Sequence, residues 1–291
     1  MFSELFNVVS PVLFISLIGF IWVKKEYAFP TDFVTRINMN LGAPCLVFVG
    51  LLGLREDISA MTTFMLASLF AIIILLILVS IFVYITGLPK RGYIIALSSS
   101  NCGNMGIPLS LFAFGDLGMS FAIAFYVVGS IFQYTVSLLI SHGNMKIGEL
   151  LRLSLLWGIL AAVFFIATDS EPPIWVMNTA NLLAGIMIPL MLLALGASLA
   201  NLKIIKLSKI ATIGAIKMFA GIGIGIFVAN WFGFEGVDRN VLILQMSMPV
   251  AVFSYLLAAR YNRNPDEVAS LIFTTTLMSF ILVPLMMLFL F

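Results

Sequence analysis

The sequence predicts an all-α polytopic membrane protein with ten transmembrane helices, arranged as two inverted repeats of five helices each. Three observations predict this fold: the composition, the alternation of basic loops, and a repeated pattern of prolines. Of the 291 residues, 62% are hydrophobic and only 10% are charged, and the mean hydropathy is +1.16. Because about a quarter of the residues in a soluble domain are charged, this composition excludes a soluble protein.

Ten apolar segments have lengths close to the ~20 residues that cross a bilayer core. The second and seventh are the least apolar, because Asn38 and Asn40 lie in one and Asn178 and Asn181 lie in the other. An eight-span arrangement would leave these two segments out. The ten predicted spans are 5–23, 34–54, 61–86, 92–115, 118–140, 149–168, 174–200, 208–231, 240–260 and 267–290.

The distribution of basic residues favours ten spans over eight. Loops after even-numbered spans hold only Arg55 and Arg239, whereas loops after odd-numbered spans hold eleven basic residues, or twelve with Arg36. Cytoplasmic loops are the basic ones, so both termini are predicted to lie outside. The eleven residues are Lys24, Lys25, Lys90, Arg91, Lys146, Arg152, Lys203, Lys206, Lys209, Arg260 and Arg263.

Four prolines repeat at about half the chain length. Pro189 in span seven follows Pro44 in span two by 145 positions, and Pro249 in span nine follows Pro108 in span four by 141. Each proline is predicted to break its span, although Pro44 and Pro189 could be plain kinks. Because five is odd, the second unit enters the membrane from the opposite side, as in many secondary transporters. The predicted units are residues 1–145 and 146–291.

The polar stretch 98–108 inside span four is predicted to hold a binding site. Helical spacing would place Ser98, Asn101, Asn104 and a break at Pro108 on one face. A polar face with a helix break at mid-membrane depth is typical of transporter sites. Ser99, inside the same stretch, is a further candidate ligand.

Span nine contains the inverted counterpart of this stretch. Gln245 and Pro249 lie four positions apart and share a helix face. If the two broken helices cross, their half-helix N-termini suit an anion and their C-terminal carbonyls suit a cation such as Na⁺. The alternative is that these prolines only kink the helices and the amides cap the kinks.

Neutral oxygens are the candidate ligands for a coupling ion. No Asp or Glu lies at the centre of a span, which disfavours a proton relay. It favours Na⁺ bound by side-chain oxygens, or uncoupled transport. The candidates are Ser98, Gln133, Gln245 and Thr276, which follows Gln133 by the repeat offset. Serine and threonine equally serve as hydrogen-bonding groups between membrane helices.

Lys217 is the one charge well inside a span. Two interpretations are open. The side chain extends toward the cytoplasmic surface, or its charge attracts an anion that enters from the cytoplasm. Near it, the glycines of the stretch 221–225 are predicted to allow close helix contact.

Enzyme chemistry and cofactors are not expected. The spans contain no acid pair, histidine cluster, or nucleophile with a base, and the loops are too short for a nucleotide-binding domain. Cys45 and Cys102 lie inside apolar spans and are interpreted as packing residues rather than a metal site. We expect a lipid bilayer and a small molecule as partners, and no nucleic acid.

Five segments resemble the auxin efflux carrier family of membrane transporters. The resemblance runs nearly end to end and is closer to the short bacterial members, which are similar to malonate and malate carriers, than to the plant PIN-FORMED carriers with their long central loop. The segments are Val12–Phe20, Asn40–Phe48, Asn101–Leu109, Ile188–Leu199 and Met248–Ala251.

The resemblance implies a fold like that of the bile-acid/sodium symporters. Spans 1, 2, 6 and 7 would form a scaffold that dimerises through spans 2 and 7, and spans 3–5 and 8–10 would form a transport domain with helices crossed at Pro108 and Pro249. It also implies a bacterial inner-membrane location and an organic anion near Asn101. Asn104 replaces an apolar residue of the plant pattern, which favours a small mono- or dicarboxylate such as malonate or malate.

These observations together lead to the hypothesis of an alternating-access secondary transporter of small organic anions. The substrate-binding candidates are Ser99, Asn101, Asn104, Pro108, Gln245 and Pro249. A channel or a membrane sensor for an organic anion is the alternative.

Overall fold

A computed structural model of the chain describes residues 2–143, 153–202, 204–205 and 207–290, and these residues form helices joined by short loops. The boundary predicted at 145/146, the start of span six, and Lys146, Arg152, Lys203 and Lys206 lie outside the described residues. The α-helices are α1 (Phe2–Lys24), α2 (Thr31–Ile37), α3 (Ala43–Leu52), α4 (Ile58–Thr86), α5 (Lys90–Ser98), α6 (Ile107–Phe132), α7 (Leu138–His142), α8 (Ser154–Ala167), α9 (Ile174–Asn201), α10 (Leu207–Trp231), α11 (Val237–Ser247), α12 (Phe253–Arg260) and α13 (Pro265–Leu290).

Seven helical segments of the described chain are long and apolar enough to cross a membrane, which makes the protein an integral membrane protein. Predicted spans four, six and nine are not separate members of these seven. They contain the helices α5, α8, α11 and α12, which are shorter. The second half of span four is joined to span five across Gly115, where the backbone turns with a φ of 65°. The seven segments are Phe6–Lys24, Thr31–Leu52, Arg55–Thr86, Cys102–Ile140, Ile174–Asn201, Leu207–Trp231 and Pro265–Leu288.

Three of the four prolines do not break their spans, so that part of the prediction was wrong. Pro189 lies inside the uninterrupted helix α9. Pro44 and Pro108 are the second residues of α3 and α6, and each of these helices continues directly from a π-helical turn with helical backbone angles. Only Pro249 lies in an interruption, between α11 and α12.

The helices pack in two groups. In the first group, α1 packs along α9 and α3 packs along α8 and α9. In the second group, α4 packs on α5 and α6, while α10 packs on α11 and α13 and also meets α4. The two groups meet where α3 and α1 contact α6. A cavity that is described below is lined by residues of both groups.

The glycines of the stretch 221–225 allow α10 to approach α11, as predicted. A Cβ atom added to Gly221 would overlap the carbonyl oxygen of Met246, and one added to Gly225 would lie 2.8 Å from the Cα atom of Ile243. A Cβ atom at Gly223 would meet nothing within 4 Å. The helices therefore touch backbone to backbone on one face of α10 only.

We expect Gly221→Ala to destabilise the protein, and Gly223→Ala to leave its stability unchanged. Overpacking a tight contact costs about 1–3 kcal/mol, and here the obstructing atom belongs to the backbone. The measurement is the melting temperature of both variants in the same detergent. Equal melting temperatures would contradict the close approach of α10 to α11.

Candidate binding site at the helix crossover

Two helices are interrupted at positions that meet in space. Helix α5 ends at Ser98, the backbone of Ser99 is extended (φ −104°, ψ 113°), and the helix resumes at Cys102. Helix α11 ends at Ser247 and α12 begins at Phe253. Each interruption leaves free backbone groups, which a membrane protein tolerates only where they are paired or line a cavity.

The two extended segments pair with each other in antiparallel orientation, and we call this pairing the crossover. The Asn101 N–H donates to the Pro249 carbonyl over 2.8 Å, and the Ala251 N–H donates to the Ser99 carbonyl over 3.0 Å. A further donor, the Val250 N–H, is 3.1 Å from the hydroxyl oxygen of Thr275 on α13. The interruption is therefore built from Ser99–Asn101, and Pro108 lies seven positions beyond it.

Lys217 reaches the crossover from α10. Its Nζ atom donates to the Ser100 hydroxyl over 2.9 Å and also to the carbonyl of Met248, which follows the end of α11. The residue is only 2% exposed. The interpretation that Lys217 extends toward the cytoplasmic surface was wrong, because the carbonyl at the C-terminal end of a half-helix attracts a cation and lies within reach.

A cavity of about 170 Å³, here called the large cavity, lies on one side of the crossover. It is bounded by the crossover itself and by parts of α2, α6, α9 and α12. Its lining residues are Thr31, Asp32, Thr35, Asn38, Met39, Ser100, Asn101, Cys102, Gly103, Asn104, Tyr126, Ser130, Gln133, Tyr134, Met187, Met191, Ala194, Ser198, Ala251, Val252, Phe253 and Leu256.

A second cavity of about 20 Å³, here called the small cavity, also borders the crossover. Its polar lining residues are Ser98, Ser99, Ser100 and Gln133. The Ser98 hydroxyl donates to the carbonyl of Ile94 in its own helix, whereas the Ser99 hydroxyl has no hydrogen-bond partner. This volume is close to the minimum for a single water-sized particle.

Three π-helical turns in the described part of the chain all contribute to the large cavity. They are Asn38–Gly42, Cys102–Gly106 and Gln133–Ser137. A π-helical turn places one extra residue in a helix, weakens its regular bonding, and is frequent at functional sites. The convergence of the three turns favours the large cavity as the candidate site, independently of which polar residues line it.

The sequence-predicted residues divide between the two cavities. Asn101, Asn104 and Gln133 line the large cavity, whereas Ser98 and Ser99 line the small one together with Gln133. The prediction that Ser98 and Asn101 share a helix face was wrong, because the extended backbone between them removes the helical spacing. Four other candidates and Lys217 line neither cavity: Pro108, Gln245, Pro249 and Thr276.

Gln245 contacts the opposite half-helix and lines neither cavity. The residue is fully buried, and its Nε2 atom donates to the Ser110 hydroxyl over 3.2 Å. A Cβ atom added to Gly106 would overlap the Gln245 amide, so α11 and the helix after the crossover are in direct contact. Thr276, the predicted repeat counterpart of Gln133, is buried too, and the threonine that touches the crossover is Thr275.

Asn101 has the strongest features of a ligand-binding residue. It is the N-cap of the helix that resumes at Cys102, yet its side chain makes no capping bond, although asparagine normally caps with its side-chain oxygen. The residue is 4% exposed and its amide nitrogen has no partner. Asn101 also lines the large cavity. Because an unpartnered buried polar group costs about 1–3 kcal/mol, a ligand that bonds to this side chain gains affinity.

Several lining residues were not identified from the sequence. Asn38 appeared only as a polar residue that weakened span two, and Asp32 lay outside the predicted spans. Met187, Met191 and Phe253 have no local signal that separates them from lipid-facing or core residues. Each reaches the cavity through the packing of helices that are distant in the sequence.

An all-helical membrane protein with two interrupted helices that cross beside a polar cavity has the architecture of a transporter. The sequence matches the family described as "Membrane transport protein" over residues 5–154 and 143–287. The chain belongs to this auxin efflux carrier-like family, as its segments predicted.

Two relatives are similar over almost their whole length. An uncharacterized transporter of Methanothermobacter thermautotrophicus is 25% identical over 299 residues, which cover 95% of each chain. An uncharacterized transporter of Methanocaldococcus jannaschii is 26% identical over 307 residues, which cover 96% of each chain. The names of both relatives are consistent with a transport role rather than an enzymatic one.

Proposed function

We propose that the protein is a secondary transporter of small organic anions, mono- or dicarboxylates, which bind in the large cavity and cross the membrane by alternating access. The observation that carries this proposal is the crossover, which places Asn101 and the start of the helix that resumes after it at the wall of the large cavity. The family supports transport, and the chemistry of the wall supports an anion.

The carboxylate binds where the helix resumes after Asn101. The first N–H groups of a helix have no carbonyl one turn earlier and carry partial positive charge. Gly103 and Asn104 occupy this first turn and line the large cavity. Lys217, when protonated, adds positive charge one hydrogen bond behind the wall, through Ser100, which also lines the cavity.

The ten-span inverted repeat, with units 1–145 and 146–291 and a fold like that of the bile-acid/sodium symporters, is part of the proposal. In such a repeat, a contact between spans one and seven has its counterpart between spans six and two. The packing of α1 on α9 and of α8 on α3 supports this pairing. The packing of α4 on α5 and α6, matched by that of α10 on α11 and α13, supports a transport domain beside this scaffold.

We propose that the structure represents an inward-facing state in a bacterial inner membrane, with both termini outside. The large cavity extends to Thr31 and Asp32 at the start of α2, and α2 follows the basic loop that contains Lys24. At the opposite end, α3 and α6 are in close contact, where a Cβ atom added to Gly53 would lie 2.6 Å from the Ser120 hydroxyl. Transport requires this contact to open while the α2 end closes.

A homodimer through spans 2 and 7 is a further part of the proposal. Large apolar side chains on α9 point away from the protein core: Trp175 and Leu182 are both 73% exposed. Leu41, within the π-helical turn before α3, is also exposed. These side chains face either lipid or a second copy of the chain, and the scaffold role favours the second copy.

The crossover suggests how the anion's charge is balanced. Na⁺ would find neutral oxygens in the small cavity at Ser98 and Gln133, as the sequence led us to expect, and also at Ser99. However, the ammonium of Lys217 lies on Ser100, which borders the same cavity, and it repels a second cation. We therefore propose that Lys217 is the resident cation and that anion binding does not require Na⁺.

A thermal-shift panel in detergent tests this proposal. Propionate, L-lactate, malonate and malate are added in NaCl and, separately, in choline chloride at fixed pH, with propionamide as the uncharged control. Ligand at a hundred times its Kd stabilises a folded protein by about 2.7 kcal/mol, so we expect carboxylates to raise the melting temperature equally in both salts. Stabilisation only in NaCl would restore Na⁺ as the coupling ion, and equal stabilisation by propionamide would refute an anion site.

A further inference from the structure

We infer that the ring of Tyr134 limits the chain length of the bound carboxylate, because it closes the large cavity against a neighbouring cavity. The neighbouring cavity, here called the side cavity, has a volume of about 70 Å³ and lies between the π-helical turn before α3, the end of α6 and the start of α8. This role rests on the proposed function and specifies the ligand class of the same site: a monocarboxylate with a short apolar chain.

Three residues line both the large cavity and the side cavity, and they therefore form the partition between the two. They are Met39, Tyr126 and Tyr134. Met39 belongs to the π-helical turn before α3, whereas the two tyrosines belong to α6 and to the π-helical turn that follows it. The other residues of the side cavity are Asn40, Ala43, Leu153, Ser154 and Leu155.

The partition begins beside the place proposed for the carboxylate. A Cβ atom added to Gly103, in the first turn after the crossover, would lie 2.9 Å from the Cε2 atom of Tyr126. The Tyr126 ring is therefore packed directly against this turn and has no room to move toward it. A carboxylate that binds at the turn has the partition as its neighbour, so its carbon chain lies against the partition.

Tyr134 is held in the partition by contacts with two other elements. It is the second residue of the π-helical turn Gln133–Ser137 and is partly buried. Its hydroxyl donates to the Sδ atom of Met39 over 3.6 Å, and its ring meets that of Phe253 edge-on, with 5.1 Å between the centroids. Because a thioether sulfur is a weak acceptor, the ring and its packing, rather than the hydroxyl, keep the partition closed.

The side cavity suits an apolar chain rather than a second carboxylate. None of its described lining residues is charged. The polar side chains Asn40 and Ser154 bond to each other, because the Ser154 hydroxyl donates to the Oδ1 atom of Asn40 over 2.8 Å. A second carboxylate would lose its hydration there without a counter-charge, so only an uncharged chain gains affinity from the space behind Tyr134.

A series of straight-chain monocarboxylates, from acetate to octanoate, tests this role of Tyr134. Dissociation constants are measured by titrated thermal shift for the wild type, Tyr134→Ala, Tyr134→Phe and Met39→Ala. Tyr134→Phe is the matched control, because it keeps the ring and loses only the hydroxyl. Met39→Ala opens the same partition from the other side and leaves the π-helical turn of Tyr134 unaltered.

In the wild type, affinity should rise with chain length to an optimum and then fall, where the chain meets Tyr134. Each methylene group that leaves water raises the affinity by a factor of about four. In both alanine variants the optimum should move to longer acids, which bind at least about tenfold more tightly than to the wild type. Tyr134→Phe should keep the wild-type optimum, and unchanged binding of acetate would show that each variant is folded.

Three results would overturn this role while the carboxylate site stands. They are the same optimum in the wild type and both alanine variants, an affinity that rises up to octanoate in the wild type, and an optimum that moves in Tyr134→Phe as well. Failure of every acid to bind the folded wild type would instead refute the proposed carboxylate site, and the role of Tyr134 with it.

Discussion

Replacing Asn101 with alanine is expected to lower carboxylate uptake into proteoliposomes by about 10- to 100-fold, since a hydrogen bond to a charged group contributes about 1.5–3 kcal/mol. Asn101 lines the large cavity, and its side-chain amide nitrogen has no hydrogen-bond partner within the protein. The backbone N–H of Asn101, which bonds to the Pro249 carbonyl, is unchanged by the substitution. The crossover should therefore persist while the ligand contact is lost.

Asn181→Ala provides the matched control for this experiment. Asn181 is exposed on α9 and does not line either cavity, so its replacement should leave uptake near the wild-type rate. Both variants should elute as the wild type does on size-exclusion chromatography. Wild-type uptake by Asn101→Ala would remove this residue from the site.

Replacing Lys217 with methionine is expected to reduce uptake by at least about 100-fold and to lower the melting temperature. Methionine has similar length but no charge, so the Met248 carbonyl and the Ser100 hydroxyl both lose their donor. Charged hydrogen bonds contribute about 1.5–3 kcal/mol each. The positive charge behind the anion is lost as well, which weakens ligand binding in addition to stability.

Lys209→Met separates this role from a general effect of charge on α10. Lys209 lies about two turns before Lys217 on the same helix and is exposed. Its loss should change neither uptake nor the melting temperature. Lys217→Arg should reduce uptake as Lys217→Met does, because the planar guanidinium group does not fit the place of a compact ammonium. Full uptake by Lys217→Met would show that the crossover needs no fixed cation.

The membrane class and the interruption of spans four and nine could be predicted from the sequence, because apolar length and polar residues within an apolar span are local signals. The exact position of the first interruption could not. Pro108 lies inside the helix that resumes at Cys102, directly after its π-helical turn, whereas the helix is interrupted at Ser99–Asn101.

The candidate site was predictable in part, for a similar reason. Asn101, Asn104 and Gln133 were singled out because amides are rare inside apolar spans, and all three line the large cavity. The contact between Lys217 and Ser100 joins residues 117 positions apart, so no periodicity within α10 indicates it. Likewise, the π-helical turn that places Asn38 has no sequence pattern of its own.

Counterflow in proteoliposomes tests the central claim most directly. Liposomes that contain the protein are loaded with unlabelled L-lactate and diluted into a trace of labelled L-lactate. A carrier with a single site that faces each side in turn exchanges one for the other, so labelled lactate should rise transiently above its equilibrium level and then fall. Binding of lactate without such an overshoot, or a steady rise to equilibrium as through a channel, would contradict alternating access at the crossover.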